Sequence, residues 1–393
     1  MPNLLPPLRL TGASILRDGE MQRRSLAFAG GRITKGPLPE VDLRGYLILP
    51  GIIDLHGDAF ERHIAPRPSA PFPAATGLAA TDRDAAANGV TTAWLAQCWS
   101  WEGGIRGPAY AQEVMQALAD YRPHALSDLR LQVRAETHMI DSGEDMLAAI
   151  RRFGVGYVVF NNHLHDTVET WEKSPDIVRD WARRNGQNVD DFMGAVAAAL
   201  ARDKDVPRHL CRLAEAFDAL GVIYGSHDDS NGETRERFSM IGARIAEFPT
   251  TRRAAAAARA MGDPVLMGAP NVVRGGSQSG NVGALSLIAE GLCDALVSDY
   301  YYPALAHAAW ALVDRGLMAL PEAWAMISAR PAEIMRLPDR GRLDHGRRAD
   351  LVVVNEQTRA IEATISGGRL TYLAGDAAQR FLAMPTQLQL AAE

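Results

Sequence analysis

The feature that most constrains this chain is the repeated alternation of a short apolar run with a helical stretch. Apolar runs with the length of buried strands occur at 52–56, 90–96, 131–136, 155–160, 222–227, 243–248, 265–268 and 295–298. Helix candidates lie between them, including 109–121, 144–153, 207–220, 250–261 and 281–292. Because an apolar strand followed by a helix is typical of a buried parallel strand, these eight units predict an α/β fold, a TIM-like (β/α)8 barrel over residues 50–339.

The two ends of the chain have a different pattern, with short strand-like runs and glycine-marked turns. Residues 1–49 and 340–393 both show it, and neither segment has enough strands for a core of its own. Since chain ends commonly lie close together, we expect one small β-sandwich domain built from both termini. The segment 168–206 is polar and longer than an ordinary connection, and we expect it to cover the barrel mouth or to contact a partner subunit.

Composition argues against several classes of function. A net charge of −6 gives no support to a nucleic-acid-binding surface. The start of the chain is too rich in proline for a signal peptide, and no apolar run is long enough to span a membrane. The three cysteines, Cys98, Cys211 and Cys293, lie far apart and form no Cys-x-x-Cys pair, which indicates reduced thiols. We therefore expect a cytoplasmic protein without nucleic-acid or membrane partners.

Histidines and carboxylates follow the predicted strands at their carboxyl ends, where a parallel barrel places its active site. They are His56 and Asp58 after the first strand, Glu136 after the third, His163 after the fourth, His227 after the fifth and Asp299 after the eighth. Three histidines and three carboxylates around one mouth predict two divalent metal ions, with Glu136 as the bridging ligand. Mixed imidazole and carboxylate ligands suit zinc, iron or manganese, and zinc is our expectation.

Each candidate also has a purely structural interpretation. A histidine in a loop after a strand is more often a hydrogen-bonding residue than a metal ligand. His163 competes with His165 and with His138 as the ligand after its strand, and we favour His163. Asp299 could simply cap a turn. We interpret it instead as a ligand and as the general base that takes the proton of the attacking water.

Two segments are typical of anion-binding sites. Val273-Arg-Gly-Gly-Ser-Gln-Ser-Gly-Asn281 follows the seventh strand and opens a helix, so its small residues leave backbone N–H groups free for phosphate oxygens. The candidate phosphate-binding residues of this loop are Arg274, Gly275, Gly276, Ser277 and Ser279. Arg62 and Arg67, just beyond Asp58, could also hold a substrate anion, although surface ion pairs explain them nearly as well.

Several longer motifs resemble a known family. Pro50-Gly-Ile-Ile-Asp-Leu-His56 and Gly346-Arg-Arg-Ala-Asp-Leu-Val-Val-Val354, with the split terminal domain, are similar to the amidohydrolase superfamily. Within it, His56-Gly-Asp-Ala-Phe-Glu-Arg-His63, Ser226-His-Asp-Asp229 and Met267-Gly-Ala-Pro-Asn-Val-Val-Arg-Gly-Gly-Ser277 resemble the α-D-ribose 1-methylphosphonate 5-triphosphate diphosphatase family of phosphonate degradation. The resemblance covers nearly the whole chain. It implies hydrolysis of a phosphorylated sugar, a ribose 5-triphosphate, to the 5-phosphate and pyrophosphate by a homodimer.

The chain departs from the family pattern in two loops, so its substrate is the open point. Asn162-His-Leu-His-Asp-Thr167 stands where Asp-His-Thr-Pro-Gly-Gln is expected, and Gln278 stands where His is usual. An alternative is an amidohydrolase acting on an amide, lactam or deaminase-type substrate, because one fold hosts many reactions. The Arg274 loop separates the two, since an amide hydrolase needs no phosphate cradle. A non-catalytic assembly protein is a third class, and six convergent ligands argue against it.

Overall fold

The computed structural model describes residues 4–67 and 70–383. Seven strands precede the barrel: β1 (Leu8–Thr11), β2 (Ser14–Arg17), β3 (Glu20–Arg23), β4 (Leu26–Ala29), β5 (Arg32–Thr34), β6 (Glu40–Asp42) and β7 (Tyr46–Pro50). Eight strands form the barrel: β8 (Ile52–Gly57), β9 (Val90–Trp99), β10 (Asp128–Glu136), β11 (Tyr157–Asn161), β12 (Ile223–His227), β13 (Ala246–Glu247), β14 (Val265–Gly268) and β15 (Ala295–Val297). Three more follow it: β16 (Leu351–Asn355), β17 (Ile361–Ser366) and β18 (Arg369–Leu373).

Helices connect the barrel strands on the outside. Those before the fifth barrel strand are α1 (Ala59–Ile64), α2 (Ala74–Ala87), α3 (Pro108–Tyr121), α4 (Gly143–Phe153), α5 (Leu164–Lys173), α6 (Pro175–Arg184), α7 (Val189–Leu200) and α8 (Val206–Leu220). The later ones are α9 (Gly232–Met240), α10 (Arg252–Met261), α11 (Ala269–Arg274), α12 (Ala284–Ala289), α13 (Ala304–Asp314), α14 (Leu320–Ala325) and α15 (Ala329–Ile334). A last helix, α16 (Gly375–Leu382), follows β18 and packs into the core of the terminal β-domain.

The eight central strands pair in parallel in chain order, which confirms the predicted (β/α)8 barrel. The last strand meets the first through a parallel bridge between Gly57 and Asp299, with hydrogen bonds from Asp299 N to the His56 carbonyl (3.0 Å) and from Asp58 N to the Asp299 carbonyl (2.7 Å). A Cβ on Gly57 would lie 2.8 Å from Asp54 Oδ2, so this closure requires glycine there.

Apolar side chains fill the spaces on both sides of the barrel wall. One large cluster packs the strands against the surrounding helices and includes Leu95, Phe160 and Phe217. A smaller cluster with Leu55 and Trp94 contains residues of strands that are not neighbours, so it lies inside the barrel. The barrel interior is therefore packed with side chains, and the candidate ligands lie near the carboxyl ends of its strands.

Strands from both chain ends build the attached β-domain, as predicted. A four-stranded sheet has the order β5-β4-β1-β6, and a six-stranded sheet has the order β18-β17-β16-β7-β2-β3. Their shared core includes Leu10, Ile48, Leu351 and Ile365, which come from opposite ends of the chain. The exact domain limits of 1–49 with 340–393, and 50–339, stay a prediction, and β7 runs one residue past the first of them.

The long segment after β11 forms the helices α5, α6 and α7, which have their own apolar cluster of Leu164, Val178, Phe192 and Val196. The cluster explains why so polar a segment folds, because the three helices bury their few apolar side chains against one another. Within residues 4–67 and 70–383, no helix is both long enough and apolar enough to cross a bilayer. The cysteine thiols at 98, 211 and 293 are unpaired.

An ion-pair network joins the N-terminal end of β10 to the β-domain. Asp128 Oδ2 lies 2.6 Å from Arg340 Nη1 and 2.9 Å from Arg130 Nη2. Burial opposes ionisation of Asp128, yet the hydrogen bonds and charges of the two arginines lower its pKa to about 2. A carboxylate with a depressed pKa stabilises the fold above its unfolded pKa, and that stabilisation is lost as the pH falls toward the folded value.

The Asp128→Asn variant should therefore lower the free energy of unfolding at pH 7 by about 2 kcal/mol. Urea unfolding at several pH values measures this. The difference from the wild type should shrink between about pH 4 and pH 2, where Asp128 takes up its proton. Asp176→Asn, which removes an exposed surface pair, is the matched control. Equal stability of Asp128→Asn and the wild type at pH 7 would show that the network contributes nothing.

Candidate metal centre

A buried carboxylate in the middle of the barrel holds the first histidine in place. Glu247 Oε2 lies 2.8 Å from His56 Nδ1, and its Oε1 accepts hydrogen bonds from Gln132 (2.6 Å) and Tyr157 (2.5 Å). These groups come from β8, β10, β11 and β13, so they meet across the barrel interior. Burial opposes protonation of His56, but the Glu247 charge raises its pKa. The contact fixes the ring with Nε2 as the atom left for a ligand.

Four of the predicted ligands, His56, Asp58, His227 and Asp299, gather around Glu247. His56, Asp58 and Asp299 can place one ligand atom each within 4.8 Å of the others, and so can His56, His227 and Glu247. The rings of His56 and His227 lie 5.2 Å apart. His227 Nδ1 is buried and lies 2.9 Å from Asp228 Oδ2 without hydrogen-bond geometry. The two overlapping sets form one centre, which we call the first cluster.

Asp299 follows β15 in a left-handed backbone conformation, with φ of 57°. Aspartate is among the few side chains that tolerate this region, and such conformations concentrate at functional sites. Asp228, after β12, has φ of 58° and lines the same cavity. Burial and the nearby Asp58 carboxylate raise the pKa of Asp299 to about 7.

Glu136 lies in a second cluster with Glu102 and His163. Its Oε1 is 2.7 Å from His163 Nδ1 and accepts a hydrogen bond from Asn161 (2.9 Å), while Oε2 accepts one from Trp101 (3.3 Å). Burial opposes ionisation, but the charge of His163 lowers the pKa of Glu136. Among the described groups of possible ligands, Glu136 is not combined with Asp58 or Asp299. Its role as a bridge between two metals stays a prediction.

Two arginines lie around these clusters, Arg134 buried and Arg106 half-buried. Arg134, two residues before Glu136, is 6% exposed, and its Nη1 lies 3.9 Å from Asp58 Oδ2. Its Nε has no hydrogen-bond partner among the described residues. Arg106 pairs with Glu102 (3.3 Å) and Glu61 (3.6 Å). Both arginines line the cavity of the first cluster, so the site carries fixed positive charge facing the ligand space.

The predicted anion loop faces the first cluster across a single cavity of about 310 Å³, which we call the mouth pocket. Arg274, Gly276, Ser277 and Ser279 lie along one side of it. Arg274 Nη1 donates to Gln278 Oε1 (3.2 Å) and to the Tyr300 hydroxyl (3.3 Å). The predicted phosphate ligands and the predicted metal ligands therefore share one space.

The other predicted residues lie further away. Arg62 donates a hydrogen bond to the Tyr300 carbonyl and lines a neighbouring pocket. Gly275 ends α11 with φ of 82° and does not line the mouth pocket. Arg67 is exposed and lines neither pocket.

The structure separates the competing histidines. His163 begins α5 and lines the mouth pocket. His165 is exposed on the same helix, and His138 Nε2 is taken up by Asp203 at 2.8 Å. Of the three, His163 is the one that faces the ligand space.

The donor set fits a divalent metal ion. Imidazole nitrogens and carboxylate oxygens suit zinc, iron or manganese. The Glu247–His56 contact is the arrangement that metal-binding histidines commonly have, with the second ring nitrogen held by a carboxylate. His56, Asp58, His227 and Asp299 would hold such an ion.

Solved structures resemble this fold over nearly its whole length. A β-aspartyl dipeptidase from Fervidobacterium islandicum AW-1 has a TM-score of 0.61 and 14% identity, covering 97% of this chain and 99% of that chain. N-acetylglucosamine-6-phosphate deacetylase from Pasteurella multocida has a TM-score of 0.61 and 11% identity, covering 93% and 99%. The barrel, the terminal β-domain and the cluster at the mouth define a hydrolase fold of the amidohydrolase superfamily.

A curated relative gives the finer assignment. α-D-Ribose 1-methylphosphonate 5-triphosphate diphosphatase of Escherichia coli (strain K12) is 30% identical over 366 residues, covering 90% of this chain and 96% of that protein. The chain belongs to this diphosphatase family. No family model matches the chain. The family resemblance read from the sequence motifs is thereby confirmed.

Sequence reasoning missed several residues of the site. Glu247 lies within the apolar run at 243–248 but received no role. Arg134 lies two residues before Glu136, so on a strand the two side chains point to the same side. This spacing could have identified Arg134 as a residue of the site. Arg106 and Glu102 lie in a loop after β9 with no motif, so only the fold reveals them.

Replacing Glu247 by Gln should weaken metal binding by roughly 10- to 100-fold, because His56 loses the charged partner that orients its ring. Metal content after dialysis against a graded series of chelator concentrations measures this, and circular dichroism verifies the fold. Glu233→Gln, an exposed change on α9, is the control. Full metal retention by Glu247→Gln would show that the buried carboxylate does not position His56.

Proposed function

We propose that this chain is a metal-dependent diphosphatase that hydrolyses α-D-ribose 1-methylphosphonate 5-triphosphate, or a closely related sugar triphosphate, to the 5-phosphate and pyrophosphate in phosphonate breakdown. The observation that carries the proposal is that the anion loop and the first cluster line the same cavity. The named activity of the Escherichia coli relative supports it. A phosphate cradle facing a metal-type ligand set suits phosphoryl transfer and has no purpose in amide hydrolysis.

The residues of the site have separable tasks. Arg274 and the backbone N–H groups of 276–279 would bind the triphosphate oxygens and set the α-phosphorus toward the first cluster. A divalent ion, when bound, would polarise a phosphoryl oxygen and acidify water. Asp299 would accept the proton of the attacking water, whose oxygen forms the new bond to the α-phosphorus. The bond from that phosphorus to the oxygen shared with the β-phosphorus breaks, and pyrophosphate leaves.

Arg134 would stabilise the transition state of this hydrolysis from its position on the barrel strand β10. Its guanidinium is buried beside Asp58 and keeps its charge at any pH at which the protein is folded. A fixed cation in a site that excludes water offsets the negative charge that grows on the leaving and equatorial oxygens.

Phosphorus-31 NMR of the metal-loaded protein with the methylphosphonate triphosphate tests the proposal, with ATP as a control. Pyrophosphate should appear from the sugar triphosphate. Metal-loaded protein that releases no pyrophosphate from it would overturn the proposed reaction, and amide and lactam substrates would be tried next.

Asp299→Asn should reduce kcat by at least 100-fold, because the amide cannot take the proton of the attacking water. Asparagine tolerates the left-handed backbone of this position, so the fold should persist. Asp18→Asn, at a remote aspartate that also has positive φ, is the matched control. Pyrophosphate release at the wild-type rate by Asp299→Asn would remove this residue from the role of base.

Arg274→Ala should raise KM for the triphosphate by about tenfold, since one charge-assisted contact to the phosphate chain is lost. The control is Arg253→Ala, at an exposed arginine of α10. Steady-state pyrophosphate release measures both variants. An unchanged KM would mean that the loop does not bind the phosphates.

A further inference from the structure

A second, larger cavity opens beside the mouth pocket and has no role in the mechanism above. Its volume is about 1070 Å³, and we call it the side pocket. His163 and Arg106 line both cavities, so the two cavities adjoin at these side chains. Its walls come from α1, from the loop after β9 with the start of α3, and from the inserted helices α5, α6 and α7.

The wall of the side pocket is largely apolar and aromatic. Ile105, Tyr110, Trp181 and Phe192 contribute to it. Phe192 belongs to the apolar cluster that holds the inserted helices together, and Trp181 packs against it. Their positions are therefore fixed by the packing of these helices. Flat aromatic walls of this kind favour a ring or another apolar group, because its burial removes apolar surface from water.

The charges of the side pocket disfavour a phosphate group. Its wall carries four carboxylates, at Glu61, Glu102, Glu113 and Asp166, against the two cations Arg62 and Arg106. Arg106 is already paired with Glu61 and Glu102. A dianion would therefore meet net negative charge there, whereas the mouth pocket offers Arg274 and Arg134. The mouth pocket therefore suits the triphosphate, and the side pocket suits an uncharged organic group.

We propose that the side pocket binds the organic group that the substrate carries at the far end from its triphosphate, and that this group is aromatic or apolar and larger than methyl. The inference rests on the proposed function. In chemical terms the substrate is a ribose 5-triphosphate whose C1 phosphonate bears an aryl or arylalkyl group. A methyl group would leave most of the roughly 1070 Å³ unfilled.

Binding and turnover test the inference separately. Isothermal titration calorimetry with the 5-phosphates of ribose 1-benzylphosphonate and ribose 1-methylphosphonate measures binding without any reaction. The benzyl compound should bind at least about tenfold more tightly, as expected for burial of a phenyl ring. Equal affinities would overturn the side-pocket assignment. Pyrophosphate release from the two 5-triphosphates reports on the proposed reaction itself, and its absence from both would overturn that reaction alone.

Ala109→Trp should fill the side pocket from an exposed position at the start of α3 without disturbing the core. It should abolish the preference for the benzyl compound and leave the affinity for the methyl compound unchanged. Gln112→Trp, exposed on the same helix and outside the pocket wall, is the matched control. A benzyl preference that persists in Ala109→Trp would place the organic group elsewhere.

Discussion

The closure of the barrel is the constraint on which the site depends. Asp54 accepts hydrogen bonds from the Ser298 backbone N–H (2.8 Å) and hydroxyl (2.6 Å), and this buried contact ties the first strand to the last. Asp58 and Asp299 are joined by their backbones directly above it. Without this closure, ligands from opposite ends of the barrel sequence would not share one cavity, because no short-range interaction connects them.

Charges buried in the barrel are held in fixed positions around the mouth before any ligand binds. Glu247 is fully buried, and three donors from other strands satisfy it, so its negative charge is fixed beside His56. Arg134 places a positive charge at the level above. Buried charges of this kind are costly when left unpaired. The cost is offset here by hydrogen bonds across the barrel, and the resulting field is directed at bound ligands.

The sequence predicted those strands that form continuous apolar runs, as β9 and β14 do. Both faces of a barrel strand are buried, and a strand buried on both faces consists mostly of apolar residues. The strand expected at 243–248 is shorter, since only Ala246–Glu247 keeps ladder geometry before Phe248 adopts positive φ. The ligand candidates could be predicted because they follow strands. The role of Glu247 could not be predicted. The neighbouring sequence does not show whether a carboxylate within a strand binds a metal ion or holds a histidine that does.

The sequence alone determined the barrel and the β-domain made from both termini, and it supplied candidates for the metal ligands. These follow from local patterns: apolar runs, turn residues and polar side chains at strand ends. Tertiary structure alone decided which of these residues meet. It placed Glu136 with His163 and Glu102, apart from Asp58 and Asp299, and it opened the side pocket beside them. Such grouping depends on distances between strands that are far apart in the chain, and no local pattern encodes them.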